Sequence, residues 1–166
     1  SNSKKGFFNV TKTITVIGLG TLGGFLCKHI SEIEEVKQII IVDFDIIERR
    51  NTYNSIYTLE NIGEYKVDAL EEIISEDVDV IKFNKKYIEG KTKLPKSDLV
   101  IDCRDYVCTR YNEIDVRLYI SNKILIIDCR KMVETQNYPG SYRTVLSKSE
   151  INKAAFFASQ IISVNQ

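Results

Sequence analysis

The segment Gly18-Leu19-Gly20-Thr21-Leu22-Gly23 is the most informative part of this 166-residue sequence. It follows a β-branched apolar run, residues 13–17, that is typical of a buried strand, and it opens a helix predicted over residues 22–35. In a Gly-x-Gly-x-x-Gly turn the first glycine allows the tight turn and the second lets phosphate approach the backbone. The third lets the helix pack closely against the strand. The segment therefore predicts a phosphate-binding turn between a strand and a helix.

An acidic residue ends the next apolar run. Residues 38–42 are typical of a second buried strand, and Asp43 follows them, twenty positions after Gly23. A carboxylate at this place hydrogen-bonds a ribose hydroxyl in dinucleotide-binding turns. A tight turn without any ligand is the competing interpretation. The three glycines and Asp43 together favour a nucleotide site and leave NAD, FAD and ATP as equal candidates.

Strand-like and helix-like segments alternate along the rest of the chain. Turns and loop are predicted over 48–61, helices over 66–74, 107–121 and 151–163, and strands over 78–83, 98–102, 124–128 and, antiparallel, 142–146. Continuous apolar strands alternating with helices predict a Rossmann-like three-layer α/β/α domain with a mostly parallel sheet. We expect residues 1–166 to form one domain, with residues 1–5 a tag or a disordered end, and residues 85–96 to form a mobile loop.

The composition excludes several classes of protein. Twenty-three basic residues balance twenty-three acidic ones, so no overall field favours nucleic acid or a membrane surface as a partner. No apolar run approaches the length of a membrane span. The four cysteines form no C-x-x-C pair, which argues against structural zinc and against a disulfide framework and favours a cytoplasmic location. They are Cys27, Cys103, Cys108 and Cys129. The single histidine, His29, has no partner motif and is interpreted as structural.

Further motifs follow the second strand in a specific order. They are Asp43-Phe44-Asp45, then residues 51–55, then Gly63-Glu64-Tyr65-Lys66, then Asp98 to Asp105 with the pattern D-L-V-I-D-C-R-D. Over residues 14–130 this series resembles the ThiF/MoeB-type adenylyltransferases, the family that includes the ubiquitin-activating enzymes. The resemblance implies adenylylation, by ATP and Mg²⁺, of the C-terminal carboxylate of a small ubiquitin-like or sulfur-carrier protein or of a peptide. It also implies a homodimer or heterodimer, with residues 128–132 as a candidate dimer surface.

The resemblance assigns roles to individual residues. Asp43 would hold the ribose, Asn51 and Lys66 would contact phosphates, and Asp105 would hold Mg²⁺. Lys66, Asp105 and Asn51 are thus the catalytic candidates. The full set of expected nucleotide contacts is Gly18, Gly20, Thr21, Leu22, Gly23, Asp43, Asp45, Asn51, Asn54 and Lys66. The simpler interpretations are a solvated lysine at a helix start for Lys66, a helix cap for Asp105 and a turn residue for Asn51.

The sequence departs from the family pattern at one important place. Asn54 and Ser55 occupy the position of the family's Arg-Gln pair, and asparagine supplies neither the charge nor the donors of arginine. Arg49 or Arg50 could compensate. The alternative function is therefore a catalytically reduced module of the same fold, for nucleotide binding or dimerisation. An NAD(P)-dependent oxidoreductase is a third hypothesis, but it gives no role to Lys66 and Asp105.

Overall fold

The computed structural model describes residues 12–105, 113–121, 124–129, 140–143 and 147–164. Within these ranges the strands form one sheet in the order β3-β2-β1-β4-β5-β6-β7. The strands are β1 Lys12–Ile17, β2 Val36–Asp43, β3 Asp79–Asn84, β4 Leu99–Asp102, β5 Val116–Ser121, β6 Ile124–Cys129 and β7 Gly140–Arg143. The α-helices are α1 Thr21–Ser31, α2 Lys66–Ile73 and α3 Lys148–Val164, and two short 3₁₀ helices span Arg49–Thr52 and Leu59–Asn61.

The order of the strands places a crevice at one edge of the sheet. Strands β3, β2, β1, β4 and β5 are parallel, and β1 pairs with β2 on one side and with β4 on the other. From β1 the chain therefore builds the sheet on one side, through β2 and β3, and then crosses to the other side of β1 as β4. Open parallel sheets bind ligands at such a switch point, outside the carboxyl ends of the strands.

The apolar strands are buried on both faces. On one face Ile14 and Ile39 belong to a large cluster that also contains the buried apolar residues of α1, α2 and α3. On the opposite face Ile17 and Ile40 belong to a second cluster, which includes Tyr87 from the segment between β3 and β4. The sheet thus lies between two covered faces. The predicted Rossmann-like α/β fold with a mostly parallel sheet is confirmed.

One predicted element is wrong where the structure describes it. The helix predicted over residues 107–121 is a strand over its last six residues, β5, while residues 107–112 lie outside the described ranges. Val116 and Leu118 alternate on the face that the helices cover, and Leu118 pairs with Ile127 of β6 in antiparallel register. The alternation of buried side chains with a period of two, together with pairing to β6, therefore makes this segment a strand.

The chain end follows the prediction with shifted boundaries. The predicted antiparallel strand over 142–146 is β7, which begins at Gly140 and pairs with β6, and residues 144–146 lie outside the described ranges. The predicted closing helix is α3, which packs beside α1. No helix in the described part of the chain is long and apolar enough to cross a membrane.

Candidate functional site

A cavity of about 710 Å³ opens at the carboxyl ends of β1, β2 and β4. Its wall consists of Ile17, of Gly18 and Gly20 from the glycine loop, and of residues 42–45, Lys66, residues 85–89 and residues 103–105. Its volume is within the range of small-molecule sites. The cavity therefore lies where the strand order predicts a ligand, and it brings together Gly18, Gly20, Asp43, Asp45, Lys66 and Asp105 of the predicted set.

The three glycines of the loop have different surroundings. Gly18 has φ +91°, and a Cβ added there would lie 2.8 Å from the backbone nitrogen of Arg104. A Cβ added at Gly23 would lie 1.9 Å from the carbonyl oxygen of Gly18, whereas one added at Gly20 would meet no protein atom within 4 Å. The first and third glycines thus allow close packing inside the protein, and the second leaves open space toward the cavity.

The Asp43 carboxylate is held by the backbone of the site. Its Oδ2 accepts a hydrogen bond from the Leu19 N–H at 2.7 Å and its Oδ1 accepts one from the Asp45 N–H at 2.9 Å. A carboxylate oxygen has two acceptor positions, so each oxygen retains capacity for a further donor. The arrangement fixes the carboxylate in the cavity wall in a manner compatible with its predicted role toward ribose.

Lys66 is a buried cation at the start of α2. Its side chain is only 8% exposed, and its Nζ lies 3.4 Å from Oδ2 of Asp45, whose side chain is 49% exposed. Its backbone N–H also donates to the Asp45 carbonyl at 3.0 Å. A buried ammonium group is costly unless a nearby negative charge compensates it, and the Asp45 carboxylate is distant and half exposed. An anion that enters the cavity would supply this compensation. The solvated-lysine interpretation does not fit this burial.

Asp105 is an exposed residue in the cavity wall. Mg²⁺ is commonly held by one or two carboxylates together with phosphate oxygens and water, so a single aspartate beside a phosphate site fits this ion. In the described residues no group of three or more His, Cys, Asp or Glu side chains could hold a metal ion by itself. The segment that Asp105 would cap lies largely outside the described ranges.

Two of the predicted nucleotide contacts are not in the described cavity wall. Neither Asn51 nor Asn54 is among the described residues that line the cavity. The Asn51 side-chain oxygen instead accepts the Glu48 N–H at 2.8 Å and so caps the 3₁₀ helix Arg49–Thr52. Arg50 pairs with Glu48 at 2.7 Å on the surface. The turn interpretation thus accounts for Asn51, and its role toward phosphate stays a prediction.

Thr21 and Leu22 of the glycine loop are the first two residues of α1. The Leu22 side chain is buried in the main core. Leu22 is therefore able to contact a nucleotide only through its backbone. Free N–H groups of a first helical turn are the donors that bind anions at helix starts.

A buried ionic cluster next to the cavity was not predicted from the sequence. Asp102, at 1% side-chain exposure, accepts hydrogen bonds from Nε and Nη2 of Arg104 and from Nη1 of Arg117, all at 2.9 Å. The hydrogen bonds to Asp102 raise the pKa of the Arg104 guanidinium. The guanidinium carbon also lies 4.9 Å from the centre of the Tyr87 ring.

Tyr87 connects this cluster to the segment after β3. Its hydroxyl donates to the Glu113 carboxylate, and burial raises the pKa of its phenol. The expected mobile loop over residues 85–96 is thus anchored at a buried aromatic ring, and Arg104 and Tyr87 both line the cavity. The only sequence signal for Arg104 was its position directly before Asp105.

Cys103 lines the cavity, whereas the other cysteine and histidine expectations concern residues outside the described cavity wall. Cys27 and Cys103 are buried and free, while Cys108 and the side chain of Cys129 lie outside the described set. His29 on α1 hydrogen-bonds Asn152 on α3 at 2.7 Å, which agrees with a structural histidine. Most of the candidate dimer surface over residues 128–132 lies outside the described ranges.

Together, the sheet order, the glycine loop and the cavity at the switch point define a Rossmann-like α/β domain. The sequence profile of the ThiF family matches residues 10–136, so the chain belongs to the ThiF family. The comparison with curated proteins gives no match.

Solved structures share the fold at low sequence identity. E. coli MccB with selenomethionine MccA has a TM-score of 0.73 at 14% identity, with 98% of this chain and 57% of the MccB chain covered. E. coli MccB with ATP has a TM-score of 0.68 at 14% identity, with 97% and 57% covered. PaaA has a TM-score of 0.61 at 13% identity, with 98% and 57% covered. The chain therefore spans between half and two thirds of the length of these neighbours.

Proposed function

We propose that this chain provides the nucleotide site of an ATP-dependent adenylyltransferase that activates the C-terminal carboxylate of a small ubiquitin-like or carrier protein or of a peptide. The observation that carries the proposal is the shared cavity, which joins the open space at Gly20, the buried Lys66 and the exposed Asp105. Membership in the ThiF family and the MccB structure with ATP support it. The structures of MccB with MccA favour a protein or peptide as acceptor.

The reaction asks for few chemical groups from the protein. A carboxylate oxygen of the acceptor forms a bond to the α-phosphorus of ATP, and the bond from that phosphorus to the bridging oxygen of the β-phosphate breaks. The electron pair leaves with pyrophosphate. Catalysis then depends on positioning the two reactants and on neutralising the phosphate charge.

The residues of the cavity suit these two tasks. The missing Cβ at Gly20 lets a phosphate approach the backbone at the start of α1, where the helix dipole favours negative charge. The Lys66 ammonium group would spread charge from the phosphate oxygens. Asp105 would hold Mg²⁺, which supplies further positive charge to the phosphates when it is bound.

A second candidate function is a nucleotide-binding or dimerisation module without catalysis. It is favoured by the engagement of Asn51 in a helix cap and by the absence of Asn54, Arg49 and Arg50 from the described cavity wall. In that case the cavity would bind ATP, but no acceptor would react.

Two measurements separate these functions. Calorimetry with ATP, ADP and NAD⁺ tests the site itself, and a preference for NAD⁺ over ATP would instead support the oxidoreductase hypothesis. Exchange of labelled pyrophosphate into ATP, measured with Mg²⁺ and a panel of carrier proteins ending in Gly-Gly and of short peptides, tests the reaction. Exchange that depends on one acceptor supports the adenylyltransferase. ATP binding without exchange for any acceptor supports the module.

A further inference from the structure

Both polar groups of the Leu19 backbone are bound by buried or half-buried side chains. The Leu19 N–H donates to Oδ2 of Asp43 at 2.7 Å, and the Leu19 carbonyl accepts a hydrogen bond from the Tyr57 hydroxyl at 2.7 Å. Leu19 and Tyr57 are both 0% exposed. The residue between the first two glycines of the loop is therefore fixed from two sides, by groups 24 and 38 positions away in the chain.

The carbonyl of Leu19 and the N–H of Gly20 belong to the same peptide unit. This unit is planar and trans, so its C=O and N–H bonds point in opposite directions. The hydrogen bond turns the carbonyl toward the buried Tyr57. The Gly20 N–H must then point away from that part of the core, and Gly20 lies in the cavity wall with open space beside it.

We propose that Tyr57 is a positioning residue for phosphate binding, because its hydroxyl holds the Leu19–Gly20 peptide with the Gly20 N–H directed at the phosphates of the nucleotide. This inference rests on the proposed nucleotide site. Glycine on either side of Leu19 leaves the loop few steric barriers to rotation of its peptide planes. A specific hydrogen bond is therefore needed to keep the donor in place before the ligand arrives.

The chemistry of Tyr57 suits this task. Burial raises the pKa of its phenol well above the usual value of 10.0, so the hydroxyl keeps its proton and remains a donor over the physiological range. A phenylalanine at this position would preserve the buried ring but would leave the Leu19 carbonyl without that donor. The peptide would then gain from rotating toward water, and the Gly20 N–H would rotate with it.

The test compares Tyr57→Phe with Ser159→Ala, a control variant that loses a hydroxyl of the same kind outside the cavity wall. Ser159→Ala also removes one buried hydroxyl that donates to a backbone carbonyl, that of Phe156 at 2.6 Å, but it lies on α3 outside the cavity wall. For Tyr57→Phe we expect affinity for ATP and ADP to fall about tenfold, as for one hydrogen bond to a charged group, and affinity for adenosine to stay within about twofold. Ser159→Ala should leave all three affinities unchanged.

Equal affinity of Tyr57→Phe and the wild type for ATP overturns the inference, as does an equal loss for ATP and adenosine. If the wild type itself binds no ATP, the proposed nucleotide site fails, which is a separate result.

If Tyr57→Phe does not fold, a measurement on the wild type still tests the contact between the Gly20 N–H and the phosphates, which the proposal requires. The sequence has eight glycines, so a protein labelled with ¹⁵N-glycine gives a simple amide spectrum in which Gly20 is assigned by its loss in Gly20→Ala. We expect ATP and pyrophosphate to shift the Gly20 resonance, and adenosine to leave it in place. A Gly20 resonance that does not respond to saturating ATP would contradict the proposal.

Discussion

Gly23 lies directly against the carbonyl group of Gly18, so closely that a Cβ at Gly23 would be 1.9 Å from the Gly18 oxygen. This contact joins the first turn of α1 to the end of β1. Three positions earlier, Gly20 has open space where its Cβ would be. The two glycines therefore serve different purposes, packing in one case and access in the other, and substitutions separate them.

Gly23→Ala should destabilise the fold. The methyl group would collide with backbone atoms, which are unable to move aside cheaply, and overpacking typically costs about 1–3 kcal/mol and occasionally more. Urea denaturation monitored by circular dichroism measures the loss. Ala158→Gly, a buried helical position on α3, provides a destabilised control without a collision. A Gly23→Ala protein as stable as the wild type would show that α1 does not pack on β1 as described.

Gly20→Ala should fold normally and lose its ligand. The new methyl group meets no protein atom within 4 Å, so the free energy of unfolding should change by less than about 1 kcal/mol. The same methyl group occupies the approach of the phosphate to the backbone, and ATP affinity should fall about tenfold or more. Calorimetry with ATP checks this. Unchanged affinity would place the phosphates elsewhere in the cavity.

The parallel half of the fold was readable from the sequence because its signals are local. A run of apolar β-branched residues, then the glycines from Gly18 to Gly23, specifies β1 and α1 within about twenty positions. Residues 99–101 are likewise apolar, and an aspartate stands at each end of them. The sequence did not predict the strand β5, because Arg117 and Tyr119 interrupt its apolar residues. The strand is accounted for by its pairing with β6 and by the buried hydrogen bond from Arg117 to Asp102, both of which are contacts between distant parts of the chain.

The site was readable only in part for the same reason. Asp43 ends β2, Lys66 begins α2 and Asp105 follows β4. Because the carboxyl ends of parallel strands meet at one side of the sheet, their convergence follows from the order of the chain. The bond from Tyr57 to Leu19 spans 38 positions and depends on how the loop after β2 folds back. No local pattern records such a contact. Asn51 shows the converse, since its position matches the family motif while its side chain caps a 3₁₀ helix.

Lys66→Met should weaken phosphate binding without harming the fold. Methionine nearly matches the length of the buried lysine stem. Loss of the lysine charge leaves the Asp45 carboxylate without this ion pair, but that carboxylate is half exposed, so water solvates it and the fold is not destabilised. ATP affinity should fall about 10- to 100-fold while adenosine affinity stays constant. Lys82→Met is the matched control, because Lys82 pairs with Asp68 and Glu71 outside the cavity wall. An equal effect of both variants on ATP affinity would contradict a specific role for Lys66.

The buried thiol of Cys27 should make the free energy of unfolding fall as the pH rises into the alkaline range. Burial raises the pKa of its thiol far above the ordinary value of 9.0. Above about pH 9 the unfolded chain releases this proton and the folded chain retains it, so stability is complete below that pH. It then falls by up to about 1.4 kcal/mol per pH unit. In reducing buffer, Cys27→Ala should show a shallower fall from pH 8 to pH 10. Ile30→Val, a buried change on the same helix, should keep the wild-type slope, and an unchanged slope in Cys27→Ala would contradict the argument.

Asp105→Asn should separate nucleotide binding from its dependence on Mg²⁺. The side chain is exposed, so the fold should be unaffected, but a neutral amide is a much weaker ligand for a hard cation than a carboxylate. In titrations of ATP at increasing Mg²⁺, the concentration that gives half of the maximal enhancement of binding should rise at least about tenfold. Asp77→Asn changes another exposed aspartate, outside the cavity wall, and should leave the Mg²⁺ dependence unchanged. If Asp105→Asn and the wild type respond equally to Mg²⁺ while Asp105→Asn is less stable, the aspartate is a helix cap and not a metal ligand.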